Sequence, residues 1–393
     1  MDNTVKPSRD LNPFGPVFRS KNPKVFLDLI GPAVRGFLLH KGRGRPHTQV
    51  ETKNDALFDW AYKRDQPEMA RLYELGKASQ WNASTDIDWS IDVDPFDPRT
   101  VLLPDEILPL ADVPEYRLLP ARQQAVHRWA LTSWILSQFL HGEQGALFAA
   151  CQVTEAVEWM DGKLYASSQV VDEGRHVEVF HRYLADKLGK LYPINDNLYT
   201  IIDALMTDGR WDLKFLGMQI LVEGLALGAF GTLRAATKEP LLREILKNVI
   251  TDEARHVHFG VIALREHYAN MPERDRRERE DWAYEITVMM RNRFLAHEFY
   301  DEYYAHIMSR RRWNTLVLES EFMNRFRTTL FRRLIPNLRR IHLLSDRVRP
   351  LYERLGLLVF ENERAAPELQ AHDLLGEDGE PFTRKNPTRD VAE

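Results

Sequence analysis

Residues 172–177 read Asp-Glu-Gly-Arg-His-Val and residues 252–257 read Asp-Glu-Ala-Arg-His-Val, so five of six positions repeat. Thirty residues before each motif glutamate stands another: Glu143 precedes Glu173, and Glu223 precedes Glu253. These two share a context, Glu-x-x-Ala-Leu, within apolar stretches that include Leu147 and Leu227. A single Glu-x-x-His is common on solvated helix faces. Two near-identical copies, each with an apolar-embedded glutamate at equal offset, mark an internal duplication that must fold as two similar units.

Helical periodicity says what those units are. Ala121–Met160 carries Trp129, Trp134, Phe139, Phe148 and Val153 near the 3.6-residue period, with no proline. Asp161-Gly162 marks a break, and Leu164–Leu188 forms the next helix, closed by Gly189 and Pro193. Trp211–Thr237 is a third, and Pro240 opens a fourth running to Tyr268. Glu273–Arg310 and Thr315–Arg333 follow as further helices, and Pro336 interrupts the later pattern. Before Pro120 the chain is irregular; Asp55–Leu75 reads as two short helices divided by Pro67, and residues 81–98 as an acidic aromatic loop. Glycine and proline number only 20 and 21 of 393 residues, which favours long helices over a turn-rich β fold. The fold class is therefore all-α, divided into a wrapping segment (1–120), a helical domain (121–350) and a tail (351–393), polar from Glu363.

In this arrangement Glu and His at i and i+3 project from one helix face. Each upstream glutamate lies opposite such a pair across an antiparallel hairpin. Two hairpins packed together bring four carboxylates and two imidazoles around one point. Burial penalises unpaired charge heavily, so divalent cations are needed there. Carboxylate and imidazole donors suit iron or manganese and leave open positions for oxygen. Asp172 and Asp252 are placed to orient the histidines, by symmetry each that of the other hairpin, and Arg175 and Arg255 to clamp those aspartates.

Composition narrows the alternatives. One cysteine, Cys151, excludes an internal disulfide, a thiolate zinc site and a self-contained Fe–S cluster. Net charge is −5, too mild to announce nucleic acid or a membrane surface. Residues 1–14 lack a signal-peptide layout. Val25–His40 is short and interrupted, and Phe215–Leu233 carries Glu223 at its centre, so a soluble, cytoplasmic protein with no membrane span is expected. The Asn82–Ser84 sequon has no use in that compartment.

The doubled motif resembles the ferritin-like di-iron oxidoreductase superfamily, most closely the bacterial multicomponent monooxygenase hydroxylases, over Gln138–Tyr268. Ribonucleotide reductase small subunits and acyl-carrier-protein desaturases are similar but less close. The resemblance implies a ferritin-like four-helix bundle core with additional N- and C-terminal helices. It implies one metal on Glu143, Glu173 and His176 and another on Glu223, Glu253 and His256, with Glu173 and Glu253 as bridges. The cofactor is then two iron ions, or a Mn/Fe pair, with O2 as co-substrate. Departures are specific. Phe180 stands where reductases carry a radical tyrosine, and Leu227 where the hydroxylases often carry threonine. Arylamine N-oxygenases add a histidine where this chain has Val249, and a rubrerythrin-type peroxidase needs more cysteines than one.

The function this implies is an O2-activating oxidase or monooxygenase acting on a small, apolar or aromatic molecule. Leu147, Gln169, Phe180, Gln219, Leu227 and Val249, one turn from the ligands, are candidate pocket walls. Electrons come from an external ferredoxin or reductase, for which the basic stretch Arg325–Arg349 is a candidate dock. A homodimer is expected. The competing readings are a ferritin-like metal-storage or scaffold protein, and an RNA-modifying di-iron hydroxylase.

Overall fold

The computed structural model describes residues 17–44, 46–97, 100, 102–104 and 109–369. The readings of residues 1–14, of Pro98 in the acidic loop and of the tail beyond 369 lie outside them. Every regular element among the described residues is a helix, with no strand among them. The all-α expectation is borne out.

Two longer helices and some short helical turns precede the core. Asn22 caps α1 (Pro23–Ala33) by accepting from the amides of Lys24 and Val25. Pro67 opens α2 (Pro67–Ala78) instead of dividing it, because a proline in the first turn gives up an N–H that has no helical partner. Residues 54–57 run beside the end of the next helix, with Leu57 N donating to Glu155 O at 2.9 Å.

The core comprises two long hairpins. The first pairs α3 (Ala121–Ala156) with α4 (Met160–Arg182), which continues as a π-helical turn, Tyr183–Leu188. The turn between them falls at Val157–Trp159, just before the expected Asp161-Gly162 break, since Asp161 is spent in the first turn of α4 accepting from Arg64 and from the Gln66 amide. Gly189 closes the hairpin arm at φ 62°, a conformation that favours glycine. A helix the sequence did not announce, α5 (Asp196–Thr207), crosses to the second hairpin.

That hairpin pairs α6 (Trp211–Ala236) with α7 (Pro240–Ala269). In α6, residues Leu216–Val222 are π-helical, ending at Glu223. The wider turn shifts the register of everything after it, so the sequence's regular 3.6 period fails here. Gly260 of α7 lets the two helices close: a Cβ there would lie 2.7 Å from Gln219 Cβ. Among the described residues one helix, α6, is long and apolar enough to cross a membrane, and 89% of its most apolar stretch is buried within the protein.

The C-terminal elements wrap this core. The expected continuous helix from Glu273 to Arg310 is broken into α8 (Glu273–Asn292) and α9 (His297–Tyr303). Ala296 at φ 48° reverses the chain between them. The expected Thr315–Arg333 helix is likewise two, α10 (Arg310–Glu319) and α11 (Glu321–Phe331), parted at Ser320. Pro336 sits in the first turn of α12 (Leu334–Arg340), where it removes no helical bond.

Candidate metal centre

The structure brings all six doubled-motif ligands to one place. Glu143 of α3, Glu173 and His176 of α4, Glu223 of α6, and Glu253 and His256 of α7 are each at most 4% exposed. Two metal-competent groups emerge, each with ligand atoms within 4.8 Å of one another: Glu143, Glu173, His176 and Glu253, and Glu173, Glu223 and His256. Glu173 belongs to both. It presents Oε1 to His256 Nδ1 at 3.0 Å and Oε2 to His176 Nδ1 at 3.5 Å. Glu253 mirrors it, with Oε1 3.1 Å from His176 Nδ1 and Oε2 3.7 Å from His256 Nδ1. Glu143 Oε2 lies 3.2 Å from His176 Nδ1. The imidazoles are separated by 5.9 Å between ring centres.

Both histidines turn Nδ1 inward and Nε2 outward. Nε2 of His176 donates to Asp252 Oδ2 at 3.2 Å, and Nε2 of His256 donates to Asp172 Oδ2 at 3.2 Å. Each aspartate thus belongs to the opposite hairpin, as the repeat symmetry requires. Holding the proton on Nε2 leaves the Nδ1 lone pair facing the carboxylates. The arginines complete the frame. Arg175 bonds Asp172 and reaches Asp252 at 3.3 Å, while Arg255 bonds Asp252.

Two further residues in this frame carried no sequence signal. Trp81 Nε1 donates to Asp252 Oδ2 at 2.8 Å. Gln80 Nε2 donates to Asp172 Oδ1 at 3.1 Å, and Gln80 Oε1 accepts from Arg175. The Arg175 guanidinium lies 5.0 Å over the Trp81 ring. Trp81, at the start of the segment read as loop, and Gln80 just before it therefore close the outer side of both aspartates.

The donor set fits divalent metal. Glu173 Oε2, Glu223 Oε2, both Glu253 oxygens and His256 Nδ1 are buried without a hydrogen-bond partner. Protein interiors rarely leave such atoms unsatisfied. Burial, reinforced by the charge on Glu253, holds Glu143 and Glu223 well above the usual carboxylate range. Burial also opposes charge on the histidines, yet they are raised well above their usual range, His176 chiefly by Asp252 and Glu143 and His256 chiefly by Glu173. Without cations this cluster gathers protons. Four ionised glutamates carry the charge that two divalent cations match.

The six positions expected to wall a pocket line neither of the described clefts. Gln169 Nε2 donates to Glu173 Oε1 at 3.2 Å and to Glu223 Oε1 at 3.1 Å, and Gln219 Nε2 reaches Gln169 Oε1 at 3.4 Å. Phe180 packs between Phe139 and Phe230, at 6.0 and 5.7 Å. Leu227 and Val249 are buried core and Leu147 is half-buried. The basic stretch is also largely committed within the chain. Arg327 bonds the carbonyl of Leu318, Arg332 pairs with Glu363, Arg347 with Glu280 and Asp281, and Arg349 with Glu361.

Comparison with known proteins adds a family. A family model described as P-aminobenzoate N-oxygenase AurF matches residues 63–341. No curated protein matches the chain. Among solved structures, a variant R2-like ligand-binding oxidase with an anaerobically reconstituted Mn/Fe cofactor is 20% identical, with TM-score 0.43, covering 74% of this chain and 96% of that one. Another variant of such an oxidase, with an aerobically reconstituted Fe/Fe cofactor, is 17% identical, with TM-score 0.46, covering 70% and 93%.

Proposed function

The chain belongs to the P-aminobenzoate N-oxygenase AurF family and is a di-iron oxygenase or oxidase, and we propose that it acts on a small apolar or aromatic molecule with electrons from a separate ferredoxin or reductase. The observation that carries this reading is the disposition of Glu173 and Glu253. Each offers one oxygen to each histidine side, the placement required of carboxylates that bridge two metals. We assign one metal to Glu143 and His176 and the other to Glu223 and His256, with the two motif glutamates between. Val249, fully buried, leaves two imidazoles in the set, without the third that arylamine N-oxygenases add.

Two bound iron ions, or a Mn/Fe pair, supply the means to reduce O2. What the chain contributes is positional. Asp172 and Asp252 fix both ring orientations and keep Nδ1 free to ligate. Arg175 and Arg255, with Gln80 and Trp81, hold those aspartates in place by hydrogen bonds. Gln169 steadies Glu173 and Glu223 through its amide. Phe139, Phe180 and Phe230 form an aromatic wall that keeps water from one side of the centre. An external electron donor is needed because one cysteine and no flavin or haem motif leave the chain without a reductant of its own. The reading includes a cytoplasmic homodimer.

The test is oxygen transfer. Iron-loaded protein, reduced chemically under argon and mixed with a library of anilines, phenols and alkyl compounds, is pulsed with 18O2. One product gaining a single 18O atom supports the proposal. Iron mineral formed at the same rate with or without organic compounds would instead favour a storage protein.

A further inference from the structure

Beyond the metal ligands, the turn between α3 and α4 meets the start of α6 and the end of α7 around an open cleft of about 760 Å³, a volume typical of small-molecule sites. Trp159 and Trp211, both half-buried, line it together with Met69 and Ile262. The two indoles meet at 5.4 Å with planes 87° apart, so they form a corner instead of stacking on each other. The arginines here are spent. Arg279 pairs with Asp212 at 2.7 Å, and Arg210 pairs with Asp28, Asp208 and Glu278, so neither guanidinium is left for a phosphate. His267 is not spent. Its ring lies 4.6 Å from that of Trp211, and among the described residues it has no hydrogen-bond partner. Burial lowers its pKa against the pull of Asp212, which leaves a neutral imidazole at pH 7.

A row of aromatic rings leads inward from this cleft. Trp211 meets Phe215 at 5.7 Å, Phe215 meets Phe259 at 4.9 Å, and Phe259 meets Tyr165 at 4.6 Å between ring centres. Phe215, Phe259 and Tyr165 are fully buried. Phe259 stands three residues after His256 on α7, one turn away on the same face. The charge of His256 also acts on the Tyr165 phenol, whose pKa burial raises. Contacting π-systems offer an electron a shorter path than a saturated core does. Here the contacts run without a break from the cleft to the neighbour of a ligand histidine.

We propose that this cleft holds the ring of a reduced flavin, released by a separate flavin reductase, and that Trp211, Phe215 and Phe259 conduct its electrons to the His256 side of the metal centre. The flavin hydroquinone gives up two electrons and two protons and becomes oxidised flavin. Two ferric ions become two ferrous ions, and the protons pass to water. The indole corner takes the planar ring, and His267 offers it an uncharged hydrogen bond. With no arginine free, the phosphate of a flavin mononucleotide stays in solvent. The electron route rests on reading the neighbouring cluster as a di-iron oxygenase centre; the flavin site does not.

The test separates binding from reduction. Oxidised flavin mononucleotide and lumiflavin are titrated into the full-length, iron-loaded, air-oxidised protein and followed by quenching of flavin fluorescence. We expect saturable binding, equal for the two within about threefold, since the phosphate makes no contact. Trp211→Leu, and Trp159→Leu as an independent variant, should each weaken it about tenfold. Photoreduced flavin mononucleotide, mixed with the same protein under argon, should reduce the iron. Phe215→Leu should slow that step by roughly an order of magnitude while leaving flavin affinity and iron content unchanged. No saturable binding, or binding that both tryptophan variants leave intact, would overturn the site. Reduction at the wild-type rate in Phe215→Leu would overturn the aromatic row as the route. Flavin binding that depends on both tryptophans, in a protein that incorporates no 18O into any compound, would overturn the oxygenase reading alone.

Discussion

His176 and His256 are held by aspartates 76 and 84 residues away in sequence, an exchange that ties the two hairpins together at the centre. The repeat alone made Asp172 and Asp252 legible as orienters, because equal spacing on antiparallel helices puts each beside the other's histidine. Gln80 and Trp81 were not legible. Their bonds span 92 and 171 residues, and nothing in an acidic aromatic loop signals which buried carboxylate a tryptophan will meet. Asp252→Asn keeps the size but weakens the hold on His176. We expect metal affinity to fall about 10–100-fold, with the helical content unchanged, in titration against a competing chelator. A second residue-scale prediction concerns Lys214, fully buried, which donates to the carbonyls of Leu205 and Asp208 at 3.0 and 2.7 Å. Burial lowers its pKa from 10.5 to about 8, although Asp208 and Glu155 oppose the shift. The folded state binds this proton less well than the unfolded chain. Its contribution is therefore fully present above pH 10.5 and is lost as pH falls through about 8. Relative to Lys214→Met, the wild type should gain stability between pH 8 and 10.5 in urea denaturation. A flat difference would show that Lys214 titrates normally.

Among the elements, α6 departs furthest from what periodicity predicts. Its apolar run gave correct ends, within one residue, but the π-helical stretch Leu216–Val222 is invisible to a 3.6-residue pattern that is apolar all round. The same blindness explains the broken helix at Ala296 and the parting at Ser320. Both are set by tertiary packing, and no Gly or Pro marks either position. The π stretch positions Glu223 by absorbing one extra residue, so inserting an alanine after Ile220, a second extra residue with no further π turn to absorb it, should rotate Glu223 by about 100°. We expect that variant to stay helical by circular dichroism and to lose at least one of its two metals by elemental analysis. Retention of both would mean that Glu223 is not a ligand. The close approach of Gly260 to Gln219 belongs to the same device, since a wider α7 would push the π stretch away.

For the whole molecule, the repeat foretold the two hairpins and the gathering of six buried candidate ligands, because duplicated helices must pack as duplicated units. It did not foretell the cleft beside Arg293, whose walls come from α3, α6, α11, the turn at Arg293 and the segment carrying Leu103 and Pro109, parts that share no pattern. Nor did local sequence reveal that the arginines beyond Arg325 serve mostly to fasten the C-terminal wrap, as at Arg347 with Glu280 and Asp281. The basic stretch is thus largely a structural strap. The central claim is that four glutamates and two histidines hold two redox-active metals. Mössbauer spectra of protein loaded anaerobically with 57Fe(II) and then exposed to O2 test it most directly. The account predicts two irons per chain that become one spin-coupled diferric pair, and loss of that pair in Glu173→Ala. A single uncoupled iron per chain, or an unchanged spectrum in Glu173→Ala, would contradict it.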